Sequence, residues 1–567
     1  MRTLTLFAAV CLLAVAQEGP KPEPPKPSEE GIPVTSDLVV AKCAACHKKD
    51  DKGNLTRISW MRSTPEGWQQ SIKRMVRLNG VTLTPDEARL IVKYLSNHHG
   101  LAPEEAKPAL YEVERRMLDE NVPDESLRQA CVICHSVGRA ASWRRPKEEW
   151  QLLINMHIGY FPVAEFQGFR RNPPGPNDPP PPPGTDTRDP ADKVVEFLAK
   201  TYPLHTPEWA NWRSSMRAPK LAGRWLVTGS QQGRGRFFGE MVVEPAATPD
   251  EFTTNVTLRY IRDGKTVRAA GRSLVYTGYS WRGRVQNAAK SNDPNELIEA
   301  RQVMLVSRDQ SQMEGRWFWG GYDEFGLDVT LRRAGNDPVV FGVDRQSLQA
   351  GGAGQQVCIY GDNLPSNLRP EDIDFGSGVT VKRVSAAAGA LAVEVDMASS
   401  AIPGKRDVAV RGSVATGAYA VYDKIDYLKV TPEAALARLG GTTHPKGYQQ
   451  FEAVAYHRGA DGKPNTPDDV NLGPADVLWS VEEFLAVYGD DDKDFVGSLS
   501  PTGLFTPAIE GPNPKRKFSR NNYGDVWVVA QHKDASVSRD GKSLSGRAHL
   551  VVTIPLYVRW DQPEVSK

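Results

Sequence analysis

Two stretches of the 567-residue chain repeat one arrangement of sulfur and nitrogen: Cys43-Ala44-Ala45-Cys46-His47 and Cys131-Val132-Ile133-Cys134-His135. Two thiols two residues apart, with an imidazole directly after them, make the attachment site of a c-type haem. The thiols form thioethers to the porphyrin vinyl groups, and the histidine becomes the proximal iron ligand. A zinc site built from both cysteine pairs, or a thioredoxin-like redox pair, leaves the two following histidines without a role. The expected cofactors are therefore two covalently bound haem c groups, one on Cys43 and Cys46 with His47, the other on Cys131 and Cys134 with His135.

The residues around the motifs repeat as well. Ser59-Trp60-Met61-Arg62, Trp68-Gln69 and the helical stretch Glu87 to Leu95 follow the first motif; Ser142-Trp143-Arg144-Arg145, Trp150-Gln151 and Ala191 to Leu198 follow the second. The tails Ile91-Val92-Lys93-Tyr94-Leu95 and Val194-Val195-Glu196-Phe197-Leu198 match, so residues 34–215 read as an all-α dihaem cytochrome c domain of two tandem units, about 34–105 and 122–215. Counting from the matched tryptophans nominates Met75 as distal ligand of the first iron and His157 of the second. The alternative for Met75 is a helix-face core methionine, and Met156 competes with its neighbour because adjacent helix positions face different ways. His98 and His99 rank lower, their counterparts being Thr201 and Tyr202. The tryptophans are expected to pack on porphyrin or to hold the helices. A Met/His iron generally has a higher potential than a bis-His iron, which would run electrons from the second haem to the first. The proline-rich insert from Asn172 to Gly184 favours an extended conformation.

Composition limits what else the chain could do. With 70 Lys+Arg against 69 Asp+Glu the net charge is +1, leaving no positive field to attract nucleic acid or an acidic membrane. Residues 1–16 read as a cleaved secretory signal, because the apolar run from Leu4 to Ala16 is about 13 residues, short of the roughly 20 that span a bilayer. Cys11 leaves with it, no second apolar stretch suggests a membrane span, and 17–33 is read as a linker. An exported protein is the expectation.

Beyond residue 216 the pattern alternates. Leu221 to Gly229, Glu240 to Glu244, Asn255 to Tyr260 and Gln302 to Val306 read as strands of an antiparallel barrel-like domain over 219–335, in which Gly223-Arg224-Trp225 recurs as Gly315-Arg316-Trp317. Residues 336–430 read as an immunoglobulin-like sandwich with Cys358 as a buried structural cysteine, and 431–567 as a second. The oxygen-rich loop 461–469 lacks EF-hand spacing, leaving a turn-rich surface loop ahead of calcium. Lys515-Arg516-Lys517 is read as solvated.

Taken together, the leader, the tandem motifs with Trp68/Met75 and Trp150/His157, and the β domains opening at Leu221-Ala222-Gly223-Arg224-Trp225 resemble the alpha subunit of quinohemoprotein amine dehydrogenase. The resemblance implies a periplasmic heterotrimer. In it a small gamma subunit carries cysteine tryptophylquinone and oxidises primary amines, a β-propeller beta subunit completes the site, and this chain takes the electrons, with no amine-oxidising residue of its own. A soluble cytochrome c or blue-copper protein would accept them. The competing reading is a free-standing exported dihaem electron carrier with β-sandwich interaction domains. A dihaem peroxidase fits less well, since it needs an iron lacking a sixth ligand.

Overall fold

The computed structural model describes residues 27–111, 122, 124–132, 138–171, 175–387, 389–441, 443–485 and 489–555. The signal segment, residues 17–26 of the linker, Cys134, His135 and residues 172–174 of the insert lie outside the described residues. The chain forms two compact units. The first comprises residues 1–62, 122–135 and 143–206, the second residues 63–121, 136–142 and 207–567.

The first unit holds both motif helices, Asp37–Cys43 and Glu125–Cys131, the His157 helix Lys147–Tyr160 and the closing helix Pro190–Thr201. Each motif helix is started by an oxygen side chain that accepts a free backbone N–H, Ser36 from Val39 and Asp124 from Leu127. Each ends at the first cysteine of its motif. Residues 175–184 of the insert form neither helix nor strand and are exposed throughout.

The second unit begins with the Met75 helix Pro65–Asn79 and the closing helix Pro85–His98. Both open on threonine caps followed by proline, and Thr84 with Glu87 completes a capping box. The compact units thus cut across the tandem repeats: the first repeat keeps its motif helix in one unit and its remaining helices in the other. The physical reason is the barrel, to which those helices are tied by a buried Glu66–Arg282 ion pair at 2.5 Å, by Lys93–Asp250 at 2.7 Å, and by the Thr277 hydroxyl donating to the Ser96 carbonyl at 2.8 Å.

The barrel itself is a closed ring of eight strands from Gly223–Gln231 to Phe325–Arg333, each antiparallel to its neighbours, the last pairing with the first. Strand Glu251–Tyr260 shows the inward/outward alternation that fills such a ring. The two Gly-Arg-Trp segments fall on the two neighbours of the last strand, and both Trp225 and Trp317 are fully buried. At Gly239 and Gly271 a side chain would run into the carbonyl oxygens of Thr257 and Arg284 across the ladder, so the strands bend closely there. Leu101, Ala102, Ala106, Leu110, Trp209 and Trp212 join the barrel core and close it, with the Trp212 indole donating to the Thr277 carbonyl at 2.9 Å.

Two four-stranded sheets between Val339 and Tyr422 share a core of Val343, Ile359, Val393, Val395, Val408 and Val421. Three further sheets, of three, four and three strands, surround Phe451, Phe505, Val526, Val528 and Leu550 in the C-terminal segment.

Two expectations need correction. Cys358 is only half-buried: on its strand the alternating positions Val357 and Ile359 face the core, which turns Cys358 outward toward Asp344. Arg516 is not solvated but 2 % exposed, paired with Asp491 at 2.8 Å and with Asp492. The loop 461–469 spends its carboxylates on its own turns, Asp468 accepting from the backbone of Ala460 and Asp461, and Asp469 from Thr466.

Candidate haem-binding site

The first motif is built at the frayed end of its helix. The backbone N–H groups of Cys46 and His47 both donate to the Cys43 carbonyl, at 3.2 and 2.9 Å, so the second thiol and the imidazole return within one turn of the first thiol. Burial raises the Cys43 thiol, and the Cys46 thiol beside it adds to the shift. None of Cys43, Cys46, Cys131 and Cys358 is in a disulfide.

The imidazole is oriented by a loop. Asp50 accepts the N–H groups of Lys52 and Asn54, Ser59 Oγ accepts that of Leu55, and the tightened loop brings the Thr56 carbonyl to 2.8 Å from His47 Nδ1. A carbonyl can only accept, so the proton is on Nδ1 and the lone pair on Nε2. This is the second-partner arrangement that fixes a metal-binding histidine.

His157 shows the same device on the other element. Its Nδ1 donates to the Leu153 carbonyl one helical turn back, at 2.8 Å, and its ring meets Phe169 edge-on at 6.0 Å. His157 and Met156 are both half-buried in the first unit, while Met75 is half-buried in the second. Cys131 ends its helix next to the exposed Val132; Cys134 and His135 lie outside the described residues.

The tryptophans hold helices together. The Trp68 indole donates to the His99 carbonyl at 2.9 Å, and the Trp150 indole to the Tyr202 carbonyl at 3.3 Å. His99 and Tyr202 each follow the last residue of a closing helix, and their carbonyls also accept the backbone N–H of Ser63 and Arg145 respectively. His98 is exposed and stacks on Tyr94 at 4.5 Å, whereas His99 is buried edge-on to Trp68 at 6.1 Å.

The donor set fits the chemistry of haem c: paired thiols, a tautomer-fixed imidazole directly after them, and thioether or imidazole on a helix. Apolar side chains flank each nominated ligand while facing solvent, Val76 and Leu78 beside Met75, and Tyr160, Phe161 and Val163 beyond His157, as a large apolar ring requires. A second-unit cavity of about 680 Å³, walled by Gln231, Arg236, Glu324, Phe341, Tyr419 and Gln450 among others, has no cysteine or histidine in its lining and offers none of these donors.

Several contributors were not singled out from the sequence: Thr56, Arg57, Arg145, Glu149 and the caps Ser36 and Asp124. The caps had a readable signal, an oxygen residue followed by an acid at equal distance before Cys43 and Cys131. The others act through contacts distant in sequence.

This combination defines a haem-binding protein whose helical N-terminal region is joined to a β-barrel and further β domains. The chain belongs to the quinohemoprotein amine dehydrogenase alpha-subunit family. Residues 34–174 match "Quinohemoprotein amine dehydrogenase A, alpha subunit, haem binding", and 218–334, 337–423 and 428–565 match domains II, III and IV of that subunit. It is thus of a haem-binding oxidoreductase subunit family, for which haem implies electron transfer. No curated protein matches the chain. Among solved structures, a redesigned beta barrel is 18% identical over 21% of this chain and 97% of its own, with a TM-score of 0.18. Human mucin-like protocadherin EC1-2 is 12% identical over 39% and 99%, with a TM-score of 0.16.

Proposed function

We propose that this chain is the dihaem electron-transfer subunit of an exported, periplasmic amine dehydrogenase. Electrons released when a partner subunit's cysteine tryptophylquinone oxidises a primary amine enter here and leave singly to a soluble cytochrome c or blue-copper protein. The observation that carries the reading is the His47 imidazole tied at Nδ1 to the Thr56 carbonyl directly after two thiols.

In this reading Cys43 and Cys46 hold one haem with His47 and Met75 as axial donors, and Cys131 and Cys134 hold the other with His135 and His157. Each haem, when bound, takes up and gives back one electron. His157 is preferred to Met156 because its Nδ1 bond to Leu153 leaves Nε2 as the donor atom. Met75, a weaker donor than imidazole, sets its site to the higher potential. Residues 34–215 form the dihaem domain, 219–335 the barrel domain, and 336–430 and 431–567 immunoglobulin-like domains; a β-propeller subunit and the small quinone subunit are the partners of the chain.

The test is isolation from the native host followed by anaerobic addition of a primary amine while the haem spectrum is recorded. Reduction of both haems, with a small quinone-bearing chain co-purifying, supports the proposal. Haems that reduce only with dithionite, in a preparation holding this chain alone, favour the free-standing carrier.

A further inference from the structure

Within the first unit, one ion pair bridges the two haem-binding segments. Arg57 directly follows Thr56, whose carbonyl holds the His47 proton, and its backbone is left-handed at φ 70°. Its Nε lies 3.4 Å from Glu149 Oε2, and Glu149 is on the helix that carries His157. The Glu149 side chain is 4% exposed, and its Oε2 accepts no hydrogen bond. Arg145 approaches the same oxygen at 3.7 Å, lies over the Trp143 and Trp150 rings, and directs Nη2 at Met61 Sδ, 2.8 Å away. Among the described residues, the further charge acting on this carboxyl is Glu148, itself held by the backbone N–H and hydroxyl of Ser28.

These forces oppose one another. Burial pushes the Glu149 carboxyl up, Arg57 and Arg145 pull it down, Glu148 adds a smaller upward push, and burial prevails. A carboxyl held at ion-pair distance, whose Oε2 accepts no hydrogen bond and on which burial and two guanidiniums act in opposite senses, changes protonation when a nearby charge changes.

We propose that Glu149 is a proton site linked to electron uptake, acting through Arg57 on the His47 loop and through its own helix on His157. The inference rests on the haem reading above. A haem held by these residues would, on taking up one electron from the partner's quinol or from a reducing mediator, add one negative charge to a weakly screened interior. The Glu149 carboxylate then binds one proton from water, forming the O–H bond of the acid, and the net charge is restored. On oxidation the electron leaves to the acceptor and the proton returns to water.

The experiment is a spectroelectrochemical titration of the holoprotein with mediators from pH 5 to 9, reading both midpoint potentials. The wild type is expected to show at least one potential that falls as pH rises, by up to about 59 mV per tenfold change in proton concentration. Glu149→Gln, with unchanged haem content by pyridine haemochromogen, is expected to flatten it; a slope retained in that variant overturns the proposal. If Glu149→Gln does not accumulate, Arg57→Gln decides: loss of the cation moves the sloping window to higher pH, and an unmoved window overturns the proposal. A wild-type preparation without haem would instead defeat the reading on which it rests.

Discussion

The two cytochrome repeats share a sequence pattern but differ in what holds them. In the second, the motif helix, the His157 helix and the closing helix all belong to one compact unit, where Trp150 pins the His157 helix to Tyr202. In the first, the Met75 and closing helices belong with the barrel, through Glu66–Arg282 and Lys93–Asp250. Equal spacing in the sequence is therefore held by unequal scaffolds. A sequence repeat can be copied along a chain while one of its helices is handed to a different neighbour.

Substitutions can break or sharpen this contrast. The largest effect is expected from Cys43→Ala with Cys46→Ala, which removes one covalent haem and should halve the pyridine haemochromogen signal while the second repeat keeps its own. Arg282→Ala strands the Glu66 carboxylate, 3% exposed, in the helix–barrel junction. Loss of one partner of a buried pair costs about 3–5 kcal/mol, which calorimetry should register in the barrel unit with little change in the second-repeat haem spectrum.

Met75→His would make the first repeat resemble the second. Axial-ligand choice spans about 0.8 V across haem proteins, so a fall on the order of 0.1 V in one potential is expected, bringing the two together with both haems still attached. Unchanged potentials would remove Met75 from the ligand set.

A pH effect belongs to the second unit. Burial lifts the Glu324 carboxyl from 4.5 to about 7, although it accepts the N–H groups of Tyr322 and Tyr448. The folded state therefore favours the protonated acid, and that stability, full below the unfolded value, is lost as pH rises through about 7. Glu324→Gln should remove this loss, by up to about 3 kcal/mol at pH 8 and little at pH 5, in denaturant titrations at the two pH values. The smallest effects are expected at the caps: Ser36→Ala and Asp124→Ala should each cost about 1 kcal/mol in the same titrations.

Much of the site was legible because its chemistry is local. Cysteines and histidine must be adjacent to serve one porphyrin, and the tail match that paired His98 and His99 with Thr201 and Tyr202 reappears as two equivalent helix ends, each receiving a tryptophan indole. The barrel was legible through alternation, although strands Thr266–Tyr276, Ser280–Gln286, Gln312–Trp319 and Phe325–Arg333 were not picked out. What stayed hidden depends on contacts remote in sequence. Nothing near Arg516 announces the aspartates that bury it, nothing near Glu149 announces Arg57, and a charge is read as solvated until its partner is seen.

The closure of the barrel by Leu101, Leu110, Trp209 and Trp212 has a consequence for biogenesis. Chains are made from the N-terminus, so the Met75 helix and residues 101–110 emerge well before the strands that will cover them. During that interval Cys43 and Cys46 have already been made, while the Met75 helix of the same repeat has no settled seat. The seat of that helix is thus completed last, when the eighth strand closes the ring, and a truncation before Phe325 should leave the Met75 helix without its place on the barrel.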